Sequence, residues 1–389
     1  MDARRGPPHA AFHLPTLYFG GAERATVNLA GYLVRQGWTV SFVLHTAGGE
    51  LLRELAPGMR VHDLKVSWMV RALAVEVPRT MRAVGPLMGF LKRERPDVLI
   101  PSETNSSVAA LVARRLAGSR VPIVVAEHSV VSTAARNWRC AARLRLIRAT
   151  YPMAERLVTV SRGAAEELRH AARLDAPPLV IHNPVLTARA PAAPADDPWF
   201  APGAPPVFVA AGRMSPVKGF DILLEAFALL RATLEARLLL LGKGPLEGEL
   251  AARAQALGIA GAVRFAGFVT DPGPYFRGAA AVVVPSRQES FGNVLVEAMS
   301  SGCPVVSTDC DGPRDILDGG RYGRLVPVGN AAALAAAMAE TVRRAPDPAP
   351  LIRRASDFTV ERSGARWLAV LDSVVAAARG DPIPSRGAA

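Results

Sequence analysis

Four charged side chains in the second half of the chain stand where chemistry could use them. Arg213 and Lys218 lie five residues apart in "AAGRMSPVKGFD" (210–221), where an apolar run ends in glycine and a second glycine opens a helix-favouring run. Two cations at one strand-to-helix turn can meet one diphosphate, the guanidinium forking two oxygens and the ammonium acting as a point charge. Further on, "SRQESFGNVLVEAMSSGCPVVSTDC" (286–310) holds Glu289 just before a Phe-Gly step and Glu297 inside an apolar run. The pattern predicts a helix beginning at Gly292 or Asn293, and the free amides near Gly292, Asn293 and Val294 favour a phosphate or a polar sugar group. Were the whole stretch helical, the eight-residue step from Glu289 to Glu297 would turn them only about 80° apart at 100° per residue. With Glu289 ahead of the helix, the two acids bracket a ligand lengthwise. Plainer readings are an incidental surface turn for the cations, helix-end electrostatics for Glu289 and a buried hydrogen bond for Glu297.

These residues need elements to hold them. "PVFVAAG", "ARLLLLGKG", "AVRFAGFV", "AAVVVPS" and "PVVSTDC" are short apolar runs, and amphipathic helical segments alternate with most of them. Strands apolar on both faces predict a parallel sheet covered on both sides, which gives an α/β, doubly wound domain. The first half repeats the pattern less regularly, with strands at "WTVSFVLH", "PDVLIPS", "PIVVAEH" and "ERLVTVS" and helices at "GAERATVNLAGYLVRQG" and "NSSVAALVARRLAG". A Pro/Ala-rich stretch near 186–205 reads as a linker. The expected organisation is two doubly wound Rossmann-like domains, 1–190 and 191–360, facing across a cleft, with a helix and tail at 361–389. The Gly-x-Gly of "LLGKGPLEGEL" has Glu247 in place of a third glycine and no suitably placed acid downstream, so it reads as a pair of turn glycines rather than a dinucleotide fingerprint.

Composition narrows the class. The chain of 389 residues is half hydrophobic, with ordinary charge content, which predicts globular material and more than one core. No apolar run is long enough for a bilayer span or a secretory signal. Cys140, Cys303 and Cys310 lack metal-site spacing and form no even disulfide framework, so the chain reads as cytoplasmic. Net charge is +12, and residues 1–190 supply the surplus with 26 Lys and Arg against 14 Asp and Glu. No nucleic-acid motif accompanies it. The basic stretch "WMVRALAVEVPRTMRAVGPLMGFLKRER", which includes Arg71, Arg79 and Arg82, fits peripheral attachment to an anionic membrane or, equally, a helix packed on its own sheet.

The ordered set "GRMSPVKGFDILLEAFALL", "LLGKGPLEGEL", "VRFAGFV" and "PSRQESFGNVLVEAMSSGCPVVSTDCDGPRDIL", preceded by "FGGAERATVNLA" and "YPMAERLVTVSRGAAEEL", resembles the retaining glycosyltransferases of family 4. That resemblance implies the two-domain B-type glycosyltransferase fold and a nucleotide-sugar co-substrate, with neither cofactor nor metal. Arg213 and Lys218 would then hold the diphosphate, and Glu297 would accept from the ribose hydroxyls. Glu289 would face the transferred sugar where positive charge develops, with the amides of Gly292, Asn293 and Val294 on sugar or phosphate. Backbone near Phe268 and Val269 would meet the base, and Gly20 and Gly21 would let a loop approach the donor. His128 matches the histidine beside the donor sugar, although a lone strand-end histidine is more often a structural hydrogen bonder. Glu103, Ser161 and Asn183 lie at further element ends, with Ser161 a helix cap by type. Asp309 and Asp311 read as turn and cap residues. The helix "FTVERSGARWLAVLDSVVAA" is expected to pack back on the first domain by analogy.

The expected activity is transfer from a nucleotide-sugar, UDP-linked by the motifs "ESFGNVLVEAM", "HNPV" and "DGPRDIL", to a glycan or lipid-linked acceptor. The alternatives are a GDP-sugar, mannosyl-type donor and a catalytically silent sugar-nucleotide-binding subunit. A nicotinamide oxidoreductase would leave the four charged residues without a role.

Overall fold

The computed structural model describes residues 6–66, 79–129, 138–187 and 193–381. Arg71, most of the basic stretch before it reaches Arg79, and part of the Pro/Ala-rich linker lie outside the described residues. So do the side chains of Arg79 and Cys140.

Two compact units emerge. The first takes the chain up to Pro184 and again from Val360, and the second takes Val185–Thr359. The division precedes the Pro/Ala-rich stretch because Val185 and Leu186 donate backbone hydrogen bonds to the Phe358 carbonyl (3.0 and 3.1 Å), and Leu186 also bridges to Thr359. Paired backbone fixes the boundary more firmly than composition does.

In the first unit, β1 (His9–Leu14), β2 (Thr39–Leu44), β3 (Arg60–Asp63) and β4 (Val98–Pro101) form a parallel sheet in the order β3-β2-β1-β4. Two bridges, Leu99 to Ile123 and Ser102 to Ala126, connect it to a second parallel group of β5 (Val124–Glu127), β6 (Arg156–Thr159) and β7 (Leu179–Val180). β1 is an interior strand, paired on both sides, and escaped the reading of the sequence, because His9 and His13 interrupt its apolar run. β3 escaped it too, being a largely exposed edge strand. The helix Val360–Arg379 packs on the helix Gly21–Arg35, and Gly364 permits it: a Cβ there would collide with the Tyr32 ring at about 2.5 Å. At its far end Arg379 forks onto Asp97 (2.5 and 3.0 Å), which also accepts from the His9 amide. Among the described residues no helix is long and apolar enough to cross a membrane.

The second unit has one parallel sheet. Its strands are β8 (Val207–Ala211), β9 (Arg237–Leu241), β10 (Val263–Gly267), β11 (Ala281–Val284), β12 (Val305–Thr308) and β13 (Arg324–Val326), ordered β10-β9-β8-β11-β12-β13. All four residues of β11 and of β12 are buried; β11 is continuously apolar, and in β12 the hydroxyls of Ser307 and Thr308 are satisfied by the carbonyls of Val284 and Ser286. The helix Phe220–Arg231 presents Phe220, Leu223, Leu224, Phe227 and Leu230 to the core. Phe208 and Phe227 are fully buried, and truncating either to alanine would cost about 3–5 kcal/mol. The order reverses between β8 and β11, and in sheets of this kind ligands bind outside the strand ends at that reversal.

Candidate functional site

The loop after β8 is shaped by close backbone contacts. Gly212 donates to the Leu241 carbonyl (2.9 Å) and Met214 to that of Lys243 (3.0 Å). Gly242 and Gly244 are glycines because a Cβ on either would fall onto the backbone of Gly212 or Met214, which accounts for the Gly-x-Gly as a packing turn. One 3-10 turn, Pro216–Lys218, then leads to Gly219, whose φ of +64° and contact with the Pro285 carbonyl admit no side chain. This contact draws the β8 loop against the end of β11, at the reversal point.

There Lys218 Nζ meets Glu289 Oε2 at 2.5 Å, with the side chains 31% and 14% exposed. Ser286 Oγ donates to the same carboxylate at 3.1 Å, and the Gly312 amide donates to the Glu289 carbonyl at 3.0 Å. Glu289 precedes the helix Asn293–Ser300, and Gly292 begins it with φ +104°. Val294 and Glu297 lie half-buried along that helix. Lys218, Glu289 and the helix start therefore form one constellation. Arg213 is exposed on the same loop as Lys218, and among the described residues no acid pairs with it. Phe268, 46% exposed, and Val269 follow β10 on the same C-terminal side of the sheet, at its outer edge. Asp309 and Asp311 both face Arg314, at 2.9 and 3.7 Å, and Asp311 opens the helix Asp311–Ile316.

The sequence reading overlooked two features here. Lys243 stands exposed next to the Arg213 loop. Arg287 forks onto Asp221 (2.8 and 2.6 Å) and donates to the Pro216 carbonyl (2.9 Å). Lys243 could have been found, since it sits between the two glycines of the turn. The Arg287–Asp221 pair leaves no local signal, because its partners are far apart in sequence.

The first unit has its own reversal point, between β1 and β4. Gly20 is extended there (φ −155°), so its backbone does not demand glycine, and a Cβ would meet only the movable carboxylate end of Glu23. Gly21 opens the helix Gly21–Arg35. Glu103, just past β4, has φ +73° and ψ 151°, a region that essentially only glycine occupies. It is pinned from both sides: its amide donates to the Ala126 carbonyl (3.2 Å), and its own carbonyl accepts from the amide and hydroxyl of Ser107. Burial pushes its carboxyl up to about 7, and the charges of Glu23 and Glu127 add to the rise. His128 follows β5, where burial pushes its imidazole down to about 4 against a hydrogen bond to Asn183 that favours the charged form. A neutral ring with Nδ1 buried and unpartnered among the described residues can donate or accept but is a poor proton store. Ser161 caps the helix Arg162–Ala172 by accepting from the Ala164 amide, a structural role.

Comparison with known proteins gives the same picture on each unit. The family described as "Glycosyltransferase Family 4" matches residues 19–189, and the one described as "Glycosyl transferases group 1" matches residues 205–344. The lipopolysaccharide core biosynthesis glycosyltransferase LpsE of Rhizobium meliloti is 38% identical over 36% of this chain and 41% of its own length. A phosphatidyl-myo-inositol mannosyltransferase of Mycobacterium leprae is 42% identical over 33% of this chain and 34% of its own. Thus the chain spans less than half the length of these curated relatives, whereas a phosphatidyl-myo-inositol mannosyltransferase of Propionibacterium freudenreichii matches at 28% over 82% of both. Among solved structures, sucrose-phosphate synthase of Thermosynechococcus elongatus superposes with a TM-score of 0.79 at 20% identity, over 95% of this chain and all of that one. HepE of Anabaena in complex with UDP-glucose follows at 0.73 and 20%, over 94% and 99%. Residues 19–189 therefore carry a Glycosyltransferase Family 4 domain and residues 205–344 a domain of the glycosyl transferases group 1, in a chain that has the B-type glycosyltransferase fold along nearly its whole length.

Proposed function

We propose that the chain is a retaining glycosyltransferase that moves a sugar from a UDP-sugar to a glycan or lipid-linked saccharide in cell-surface polysaccharide or glycolipid synthesis. The observation that carries this reading is the Lys218–Glu289 pair at the sheet's reversal point, beside the start of the helix Asn293–Ser300. A cation and a carboxylate set side by side suit a donor whose diphosphate is anionic and whose sugar carbon becomes cationic as the bond to phosphate breaks. Lys218 and Arg213 take the charge of the departing diphosphate, and Glu289 faces the oxocarbenium-like carbon. The acceptor oxygen bonds to that carbon on the face the phosphate leaves, and its proton passes to the departing phosphate oxygen. Glu297 accepts from the ribose hydroxyls, Gly292, Asn293 and Val294 offer amides, and backbone near Phe268 and Val269 meets the base. His128 hydrogen-bonds the sugar as a neutral ring, and Gly20 and Gly21 border the donor. The two cations stand in for a divalent ion, so turnover should survive EDTA.

HepE, crystallised with UDP-glucose, and LpsE, named for lipopolysaccharide core synthesis, support a UDP-sugar and a surface-glycan acceptor. The mannosyltransferase relatives favour a second reading with a GDP-linked donor. Calorimetric titration with uridine, guanosine and adenosine diphosphates, on the wild type and on Lys218→Ala, separates them. Binding of uridine diphosphate alone, weakened by the substitution, supports the first; guanosine diphosphate alone moves the donor to the second. Binding of none refutes the site. Turnover of the matching radiolabelled sugar nucleotide then distinguishes an enzyme from a silent binding subunit. The basic first unit fits attachment to an anionic membrane, which salt-sensitive sedimentation with phosphatidylglycerol vesicles would test.

A further inference from the structure

Two segments of the second unit meet edge to edge at the reversal point, and more than one contact closes them. On the inner side lies the Lys218–Glu289 pair. On the outer side, the Arg287 amide donates to the Val217 carbonyl at 2.8 Å, and the Arg287 guanidinium donates to the Pro216 carbonyl and forks onto Asp221. Beneath both, Gly219 rests on the Pro285 carbonyl. The residues alternate: 216 and 217 hold 287, while 218 meets 289. Lys218 therefore lies one residue beyond the brace on its segment, and Glu289 lies two residues beyond it on the other. Asp221, in turn, belongs to the first turn of the helix Phe220–Arg231, which Gly219 immediately precedes. The Arg287 guanidinium, first among the causes, holds the Asp221 carboxyl below its ordinary range.

We infer that Arg287 and Asp221 are positioning residues for the diphosphate site, fixing the spacing between Lys218 and Glu289 without touching the ligand. The inference rests on the function proposed above. A long ammonium side chain and a carboxylate from separate loops keep a shared register only if the loops carrying them cannot slide. The 3-10 turn at Pro216–Lys218 is too short to resist sliding by itself. A planar fork onto a carboxylate, with a further bond to a main-chain carbonyl, resists rotation as well as separation. Lysine at 287 could supply charge but not the fork.

The test measures uridine diphosphate affinity by calorimetry and turnover of labelled UDP-sugar in Arg287→Ala, Asp221→Asn, the charge reversals Arg287→Asp and Asp221→Arg, and the double reversal. Circular dichroism confirms that each is folded at the assay temperature. Amide exchange over 213–219, in nucleotide-free protein, is followed in parallel. We expect Arg287→Ala to weaken binding roughly tenfold and to lower turnover by about 10- to 100-fold, the scale of small misplacements of a site. Each single reversal should do worse, and the double reversal should recover at least part of the loss, which a general effect on stability would not do. Exchange over 213–219 should accelerate in Arg287→Ala. Folded variants with wild-type affinity, turnover and exchange overturn the inference. If the wild type binds no nucleoside diphosphate, the proposed function falls. The brace is then judged by exchange alone, and unchanged exchange in Arg287→Ala overturns that as well.

Discussion

Replacing Glu289 by glutamine should tighten nucleotide binding while disabling transfer. In the free protein Lys218 already has an anionic partner at 2.5 Å, so a diphosphate must compete with Glu289 for that ammonium. Fully exposed ion pairs contribute about 0.2–1 kcal/mol. This one is more withdrawn from water, with its carboxylate only 14% exposed, and it is a charge-assisted hydrogen bond, so about 1–2 kcal/mol is the reasonable scale. Glutamine keeps an acceptor for Ser286 and Lys218 at nearly the same volume, so the loop retains its shape while the charge disappears. The energy held in the internal pair then becomes available to the ligand, and at 1.4 kcal/mol per factor of ten the dissociation constant of uridine diphosphate should fall about 5- to 30-fold. Turnover should move the other way, by about 100-fold or more, because the negative charge facing the developing cation is gone. Calorimetry with uridine diphosphate at two ionic strengths, followed by steady-state turnover, reads both. Unchanged or weaker binding by a folded Glu289→Gln protein refutes the competition, and retained turnover refutes the role of the carboxylate.

Two further predictions concern the first unit. Burial holds His13 at about 3 and His128 at about 4, both below the ordinary 6.5, so below pH 6.5 the unfolded chain takes up protons first and stability falls. Each histidine withdraws about 2 kcal/mol between pH 8 and 5, while Glu103, raised to about 7, returns a similar amount as it protonates in the folded state, leaving a net loss of about 2 kcal/mol. All seven histidines precede residue 185, so amide exchange corrected for intrinsic rates should rise on acidification in the first unit and not in the second; equal response in both sinks the assignment. Glu103→Gln should stabilise the protein by about 2–3 kcal/mol more at pH 8 than at pH 5, since ionising the buried carboxyl is what costs stability as pH rises from 4.5 through 7. Urea unfolding at the two pH values checks it, and a gain independent of pH points to relief of packing instead of charge.

Much of the second unit was legible because its strands are short, apolar on both faces and closed by glycines whose neighbours in space are also loop residues. Val207–Ala211, closed by Gly212, and Arg237–Leu241, closed by Gly242, show this pattern in one run each, with no long-range information needed. The first unit was harder. His9 and His13 disguise β1, although both are accommodated: His9 Nε2 lies 2.7 Å from Ser41 Oγ, and His13 Nδ1 lies 2.9 Å from the Val43 carbonyl. A polar residue satisfied by a partner from the next strand looks, in sequence alone, like a break in the strand.

The candidate site divides along the same line. Residue types marked Lys218 and Glu289 as candidate ligand groups, and the placement of Glu289 ahead of its helix followed from the Phe-Gly step. That the two would grip one another could not be read, because it depends on how closely β8 and β11 bring their loops. Gly219 sets that approach, and a glycine's spatial neighbour is invisible from its sequence. The same limit hid Arg287 and Asp221, which local reading treats as ordinary surface charges. Types at spacing show which groups could act on a ligand, whereas their working geometry depends on contacts between segments that only the folded sheet brings together. A variant that keeps every site residue and alters only Arg287 therefore tests the fold's contribution to the chemistry separately from that of the side chains themselves.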